Sequence, residues 1–129
     1  MAFYADTSAL AKLVADEPES QAVAREMRDV RVASSELLIV ELRRVALRIG
    51  TAAAMRRADE LLDDTDLMPT SPDILERAAS LQPATLRTLD AIHLASAMAL
   101  GSELEAIVTY DARMAAAAEE LGLPVLAPG

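Results

Sequence analysis

Short runs of apolar residues alternate along the chain with longer segments in which apolar residues recur every three or four positions. The short runs predict strands at residues 2–5, 31–33, 67–68, 106–109 and 125–126. The periodic segments predict helices at about residues 8–15, 20–29, 36–49, 52–62, 73–81, 89–100 and 112–121. Apolar strands separated by helices are typical of an α/β fold whose mainly parallel sheet is covered on both faces.

Polar residues and glycine mark the ends of several predicted helices. Thr7 or Ser8 is expected to cap the first helix, and Ser34 and Ser35 are expected to act as capping residues before the third. Gly50 follows the third helix at a position that favours a left-handed residue. No repeat, linker or low-complexity tail marks a boundary, so the 129 residues are expected to form a single domain, 1–129.

Composition narrows the chemistry that the chain can support. It contains no cysteine and one histidine, His93, which excludes disulfides, thiolate nucleophiles and histidine-rich or cysteine-rich zinc sites. Any bound metal ion is therefore expected to have oxygen ligands, which suits Mg²⁺ or Mn²⁺.

Charge and hydropathy narrow the range of partners. No apolar stretch approaches the length of a membrane span, so we expect a soluble, intracellular, cytoplasmic protein with no membrane partner. A net charge of −9 argues against non-specific binding to nucleic acid, although all but one of the twelve cationic residues are arginines, which suit phosphate contacts.

Four acidic residues occupy positions that folding alone does not explain. Asp6 ends the first apolar run, Glu41 lies within the apolar stripe of the third helix, Asp90 opens an apolar helix and Asp111 ends a late apolar run. Asp6 and Asp111 follow predicted strands, and open α/β sheets bind ligands at the carboxyl edge. The pattern indicates a cation site at that edge.

Glu41 is the most informative of the four. Leu37, Leu38 and Val45 lie one helical turn away from it, so the carboxylate is placed on the stripe that faces the core. A buried carboxylate requires a proton, a basic partner or a metal ion. The alternatives to a metal site are an ion pair with Arg44 or a position at the rim of the stripe.

Ordinary structural explanations remain open for the other candidates. Asp90 and Asp111 stand where an acid caps or favours a helix N-terminus, and Asp6 stands in a strand-to-helix turn. His93 lies one turn from Asp90 and is either a general base or, as we favour, a partly buried histidine hydrogen-bonded within the packing.

Four segments together carry a family resemblance: FYADTSALAKL around Asp6, SELLIVELRR around Glu41, LRTLDAIHLASA around Asp90, and IVTYDARMAAAAEELGLPVLAPG at the end of the chain. They resemble the PIN domain family, and within it the VapC-type toxins of prokaryotic type II toxin–antitoxin pairs. The resemblance extends over essentially the whole chain, and no acidic position departs from the pattern.

The resemblance implies a PIN-like three-layer α/β/α sandwich and a Mg²⁺- or Mn²⁺-dependent endoribonuclease that hydrolyses RNA phosphodiester bonds and arrests translation and growth. Its implied partners are an RNA substrate and a cognate antitoxin of the VapB type that blocks the site, in a homodimer or a toxin–antitoxin hetero-oligomer. The implied catalytic and metal-binding residues are Asp6, Glu41, Asp90 and Asp111, with Thr7 and Thr109 as supporting hydroxyl residues.

In the mechanism that follows, Asp6 and Asp90 hold the principal cation, Asp111 contributes to it or to a second ion, and Glu41 holds the second ion or a water molecule. Arg87 and Arg113 are candidates for phosphate contacts, or are ordinary surface arginines.

Two other functions remain open. A phosphatase or a phospho-acceptor receiver domain is disfavoured because the first strand has no Asp-x-Asp pair and the only lysine is Lys12. A catalytically silent module that keeps the PIN fold and only binds a partner is disfavoured by the intact acids.

Overall fold

The computed structural model describes all residues, 1–129, and contains one five-stranded, all-parallel sheet with the strand order β3-β2-β1-β4-β5. The strands are β1 (Ala2–Ala5), β2 (Arg31–Ser35), β3 (Asp66–Met68), β4 (Leu104–Val108) and β5 (Val125–Leu126). The predicted parallel α/β fold is confirmed, because every predicted strand is present.

Seven α-helices connect or follow these strands. They are α1 (Thr7–Ala11), α2 (Ser20–Glu26), α3 (Leu38–Ile49), α4 (Ala52–Asp64), α5 (Pro72–Ser80), α6 (Thr88–Ala99) and α7 (Ala112–Glu120). None of them combines the length and the apolarity that crossing a lipid bilayer demands.

The sheet separates two apolar cores, as a three-layer sandwich requires. Successive residues of β1 point to opposite faces, because side chains alternate along a strand. Phe3 packs on one face with Leu10 of α1 and with residues of α3 and α4. Tyr4 packs on the other face with Leu94 of α6 and Met114 of α7. The three-layer α/β/α architecture is therefore confirmed.

The strand order reverses at β1, and this places a crevice between β1 and β4. The chain runs outwards from β1 through β2 to β3 and then returns to the opposite side of β1 as β4. Ala5 pairs with Val108, so Asp6 and Thr109, the residues that follow them, start side by side. Helices α1 and α7 then leave towards opposite faces of the sheet. Ligands of open α/β sheets bind at such a switch point.

Two capping predictions are wrong. Asp6, rather than Thr7 or Ser8, is the N-cap of α1, since its side chain accepts a hydrogen bond from the Ala9 amide. Ser34 and Ser35 belong to β2, and neither is the N-cap of α3, which is Leu37. The Ser34 hydroxyl donates to the Ala5 carbonyl at 2.7 Å, whereas Ser35 accepts from the Leu37 amide at 3.1 Å in the turn before α3. The predicted C-terminal Gly50 is confirmed, with a φ of 79° that an L side chain rarely adopts.

Candidate active site

Asp6 lies at the carboxyl end of the central strand and is only 4% exposed. Its Oδ1 accepts hydrogen bonds from the Ser8 hydroxyl at 2.6 Å and from the Ala9 amide at 3.1 Å. Its Oδ2 accepts one from the Thr109 hydroxyl at 2.6 Å. The carboxylate is therefore fixed by α1 on one side and by the end of β4 on the other.

Burial raises the pKa of Asp6, and the hydrogen bonds from Ser8, Thr109 and Ala9 only partly oppose this effect. The metal-free carboxylate is thus destabilised in its charged form. A positive charge beside it would remove that penalty.

Asp111 is joined to Asp6 through the hydroxyl of Thr109. The Asp111 amide donates to Thr109 Oγ1 at 3.1 Å, and the same hydroxyl donates to Asp6. Ser8 makes a second link, because its Oγ accepts from the Tyr110 amide at 2.9 Å. The turns after β1 and β4 consequently form one hydrogen-bonded unit.

Asp111 is also the N-cap of α7, so the alternative that this acid caps a helix is confirmed. Its Oδ1 accepts from the amides of Arg113 at 2.9 Å and Met114 at 3.2 Å. No protein group donates to Oδ2, so capping occupies half of the carboxylate.

Glu41 faces the same edge from α3, with a side chain that is 24% exposed. Its Oε1 accepts from the Thr7 hydroxyl at 3.0 Å and lies 2.6 Å from Nε2 of His93. Arg44 makes no ion pair with it, so that alternative is wrong. Burial alone would raise the pKa of Glu41, but the contacts with His93 and Thr7 outweigh it and hold the pKa below its usual range.

His93 is buried between Glu41 and the central strand, at 2% exposure. Its Nδ1 lies 2.7 Å from the hydroxyl of Tyr4, and the two rings meet edge to face with centroids 5.9 Å apart. Tyr4 is fully buried, and burial raises its pKa well above the ordinary value. The interpretation of His93 as a buried, hydrogen-bonded residue is confirmed.

Asp90 lies in the first turn of α6, with a side chain that is 20% exposed. Its pKa is raised by burial, then by the charges of Asp111 and, more weakly, Asp6, while Arg87 opposes the shift. The structure therefore brings Asp6, Asp90 and Asp111 close enough for their charges to interact.

The two candidate phosphate-binding arginines flank this group without entering it. Arg87 has its Nε 3.8 Å from Asp90 Oδ2, and 68% of its side chain is exposed. Arg113 is exposed at the start of α7 and lines an open hollow with Pro83, Thr85 and Leu86 of the loop between α5 and α6. Their role in binding phosphate stays a prediction.

The chemistry of these side chains fits a hard divalent cation. The donors are carboxylate and hydroxyl oxygens, and the pKa values of two of the acids are raised by burial and, for Asp90, by like charge. As they stand, no three of the acidic or histidine side chains are gathered tightly enough to hold an ion. Binding a cation thus requires the carboxylates to close around it.

Asp90→Asn is expected to stabilise the metal-free protein at neutral pH, because it removes repulsion by Asp111 and Asp6. The expected rise in melting temperature is of the order of 3 °C, which corresponds to roughly 1 kcal/mol in a chain of this size. Since the folded-state pKa of Asp90 is raised, the wild type loses stability as pH rises through that pKa. The advantage of the variant should disappear in acid, where Asp90 is protonated. Melting curves in chelator across the pH range test this, and an equal advantage at every pH would contradict it.

Sequence reasoning missed the contribution of two residues to the site. Ser8 was assigned only a capping role, yet it bonds both Asp6 and the Tyr110 amide. Tyr4 is not assigned to the site by the sequence, although its position next to the end of the first strand and on the α6 face of the sheet was a usable signal. The Tyr110 partner of Ser8 lies 102 positions away in the sequence, and the His93 partner of Tyr4 lies 89 positions away.

Comparison with known proteins gives a consistent family. The PIN domain family matches residues 3–120. Ribonuclease VapC46 of Mycobacterium tuberculosis (strain ATCC 25618 / H37Rv) is 47% identical, over 98% of this chain and 98% of the relative. Ribonuclease VapC47 of Mycobacterium tuberculosis (strain CDC 1551 / Oshkosh) is 42% identical, over 98% and 96%. A toxin–antitoxin complex from Klebsiella pneumoniae has a similar fold, with a TM-score of 0.68 at 23% identity over 100% of this chain and 98% of that chain.

Proposed function

The chain belongs to the PIN domain family, and on that premise we propose that it is a ribonuclease of the VapC type. It hydrolyses RNA phosphodiester bonds inside the RNA chain, with Mg²⁺ or Mn²⁺ as cofactor, and acts as the toxin of a toxin–antitoxin pair. The curated relatives that carry the name ribonuclease support the reaction class, because they match nearly the full length at 42% and 47% identity.

One observation carries the proposal: four acids from distant parts of the sequence lie at one edge of the sheet, where hydroxyl groups orient two of them and the charges of the three aspartates interact. Thr109 and Ser8 bind Asp6, and Thr7 binds Glu41. Asp90 feels the charges of the other two aspartates. A domain that only binds a protein partner has no need to bury and orient carboxylates in this way.

Asp6, Asp90 and Asp111 are the residues that would hold the cation. A divalent ion held there would polarise the phosphate and lower the pKa of a water molecule, so that it can lose a proton and attack phosphorus near neutral pH. Thr109 and Ser8 fix the orientation of Asp6. Asp111 offers Oδ2, since its Oδ1 is committed to α7.

Glu41 orients the attacking water in this proposal. Thr7 and His93 both bond to Oε1 of its carboxylate, which leaves Oε2 available to accept a hydrogen bond from water. Arg87, beside Asp90, and Arg113, at the start of α7, bind the phosphates that flank the scissile bond in this proposal.

The proposed protein partner is a VapB-type antitoxin in the cytoplasm, in a homodimer or a hetero-oligomer with the toxin. The similar fold from Klebsiella pneumoniae comes from a toxin–antitoxin complex, which agrees with this assignment. The net charge of −9 favours a partner that brings basic residues to the acidic crevice.

Mapping of new RNA ends tests the proposal. Total cellular RNA is incubated with the purified chain and Mg²⁺ or Mn²⁺, and the ends are compared between wild type, Glu41→Gln and Glu76→Gln, whose carboxylate is exposed on α5. We expect discrete internal cuts with wild type and Glu76→Gln that chelator abolishes and Glu41→Gln greatly reduces. Equal cutting by all three, or cutting that persists in chelator, would contradict the proposed site.

A further inference from the structure

A buried chain of hydrogen bonds leads from the central strand to Glu41 through His93. The Tyr4 hydroxyl lies 2.7 Å from Nδ1 of His93, and Nε2 of the same ring lies 2.6 Å from Oε1 of Glu41. Both rings are almost inaccessible to solvent, at 0% and 2% exposure. The imidazole therefore cannot exchange either partner for water.

The geometry decides which nitrogen carries the proton. A carboxylate only accepts hydrogen bonds, so Nε2 must be the donor to Glu41. A neutral imidazole that donates from Nε2 has an unprotonated Nδ1, which can only accept a hydrogen bond. The Tyr4 hydroxyl, 2.7 Å from Nδ1, is then the donor, and the two contacts together favour the tautomer with the proton on Nε2.

His93 and Thr7 bind the same oxygen of Glu41. His93 of α6 contacts Oε1 at 2.6 Å, and Thr7 at the start of α1 contacts the same oxygen at 3.0 Å. Two donors on one oxygen prevent rotation of the carboxyl group. Oε2 is left without a protein donor and is available to accept a hydrogen bond from water.

We propose that His93 is a positioning residue whose tautomer, set by the buried hydroxyl of Tyr4, fixes the Glu41 carboxylate so that only Oε2 serves the reaction. His93 touches neither the substrate nor the reacting atoms. This inference rests on the proposed ribonuclease activity for the role of Glu41, but the hydrogen-bond chain itself is independent of that activity.

Kinetic constants separate positioning from packing. His93→Leu should lower kcat by about 10- to 100-fold, the usual loss when a supporting hydrogen bond to a catalytic side chain is removed, and leave KM nearly unchanged. His93→Gln, whose amide can still donate to Glu41, should recover a substantial part of kcat. Tyr4→Phe should lower kcat by a smaller factor.

Leu94→Ala is the matched control. Leu94 is fully buried on the same helix and packs in the same core as Tyr4, but it does not contact Glu41. Its melting temperature should fall at least as far as that of His93→Leu while kcat stays near the wild-type value. Equal losses of kcat in Leu94→Ala and His93→Leu, or no recovery in His93→Gln, would assign His93 a merely structural role.

A spectroscopic readout tests the chain without any RNA. His93 is the only histidine, so ¹⁵N-histidine labelling of the untagged protein reports on this ring alone. At about pH 8, where an ordinary imidazole is neutral, we expect a protonated Nε2 and an unprotonated Nδ1, with the tautomers becoming mixed in Tyr4→Phe. A proton on Nδ1 in the wild type would overturn the inference.

The two experiments distinguish the failure of this inference from failure of the proposed function. If the wild type cuts no RNA but the ring shows the expected tautomer, the ribonuclease assignment fails and the hydrogen-bond chain stands. If the wild type cuts RNA and His93→Leu behaves like Leu94→Ala, only the positioning role fails.

Discussion

Asp6→Asn is expected to abolish RNA cleavage, with a loss of at least about a thousandfold, while the fold is retained. The substitution removes the negative charge that we assign to cation binding. The carboxylate of Asp6 accepts three hydrogen bonds, from the hydroxyls of Ser8 and Thr109 and from the Ala9 amide. The NH₂ group of asparagine can only donate, so the hydroxyl that faces it must turn its hydrogen away. Because burial raises the pKa of Asp6, losing its charge should not unfold the protein.

Initial rates of cleavage of a mapped RNA target measure this loss, with circular dichroism as the check on folding. Asp63→Asn is the matched control, since this exposed aspartate of α4 lies outside the crevice. We expect its rate to equal that of the wild type. Cleavage that survives in Asp6→Asn would point to a different site or to a contaminating nuclease.

Mg²⁺ or Mn²⁺ is expected to raise the melting temperature of the wild type by roughly 10 °C at a metal concentration a hundredfold above Kd. Binding to the folded state alone then contributes about 2.7 kcal/mol, and each kcal/mol shifts a chain of this size by about 3 to 5 °C. A bound cation should also lower the pKa values of Asp6 and Asp90. Both pKa values are raised in the metal-free protein, which reflects the unfavourable free energy of keeping these acids charged there.

Melting curves over a series of metal concentrations test this expectation. The shift should be nearly absent in Asp6→Asn and unchanged in Asp63→Asn. A wild-type melting temperature that does not respond to either ion would contradict the assignment of these acids to cation binding, whatever the outcome of the cleavage assay.

The fold, and the presence of acids at one edge of the sheet, could be predicted because each rests on a local signal. Short apolar runs such as residues 2–5 and 106–109 predict the strands of a parallel sheet. An acid that follows such a strand lies at the carboxyl edge of the sheet. The end of α3 at Gly50 was equally local, because one residue type adopts a positive φ without strain.

The hydrogen-bond partners of the site residues could not be predicted, because the partners are distant from one another in the sequence. Glu41 has a basic residue at i+3, yet its partner is His93, 52 positions away. The N-cap of α1 was misplaced for a similar reason: Asp6 can cap and also accept from Thr109 only once β4 lies beside β1. Helical spacing identifies a face of α3, whereas the contact of Glu41 with His93 depends on where the fold places α3 and α6 around the sheet.

We expect Asp6, Asp90 and Asp111 to close around one hard divalent cation at the carboxyl edge of the sheet. The most direct test is the anomalous diffraction signal of crystals grown with Mn²⁺. We predict a peak bonded to oxygens of these three carboxylates, with Oε1 of Glu41 still held by His93 and Thr7. Crystals at saturating Mn²⁺ with no peak at this edge, or with the ion bound elsewhere, would contradict the account.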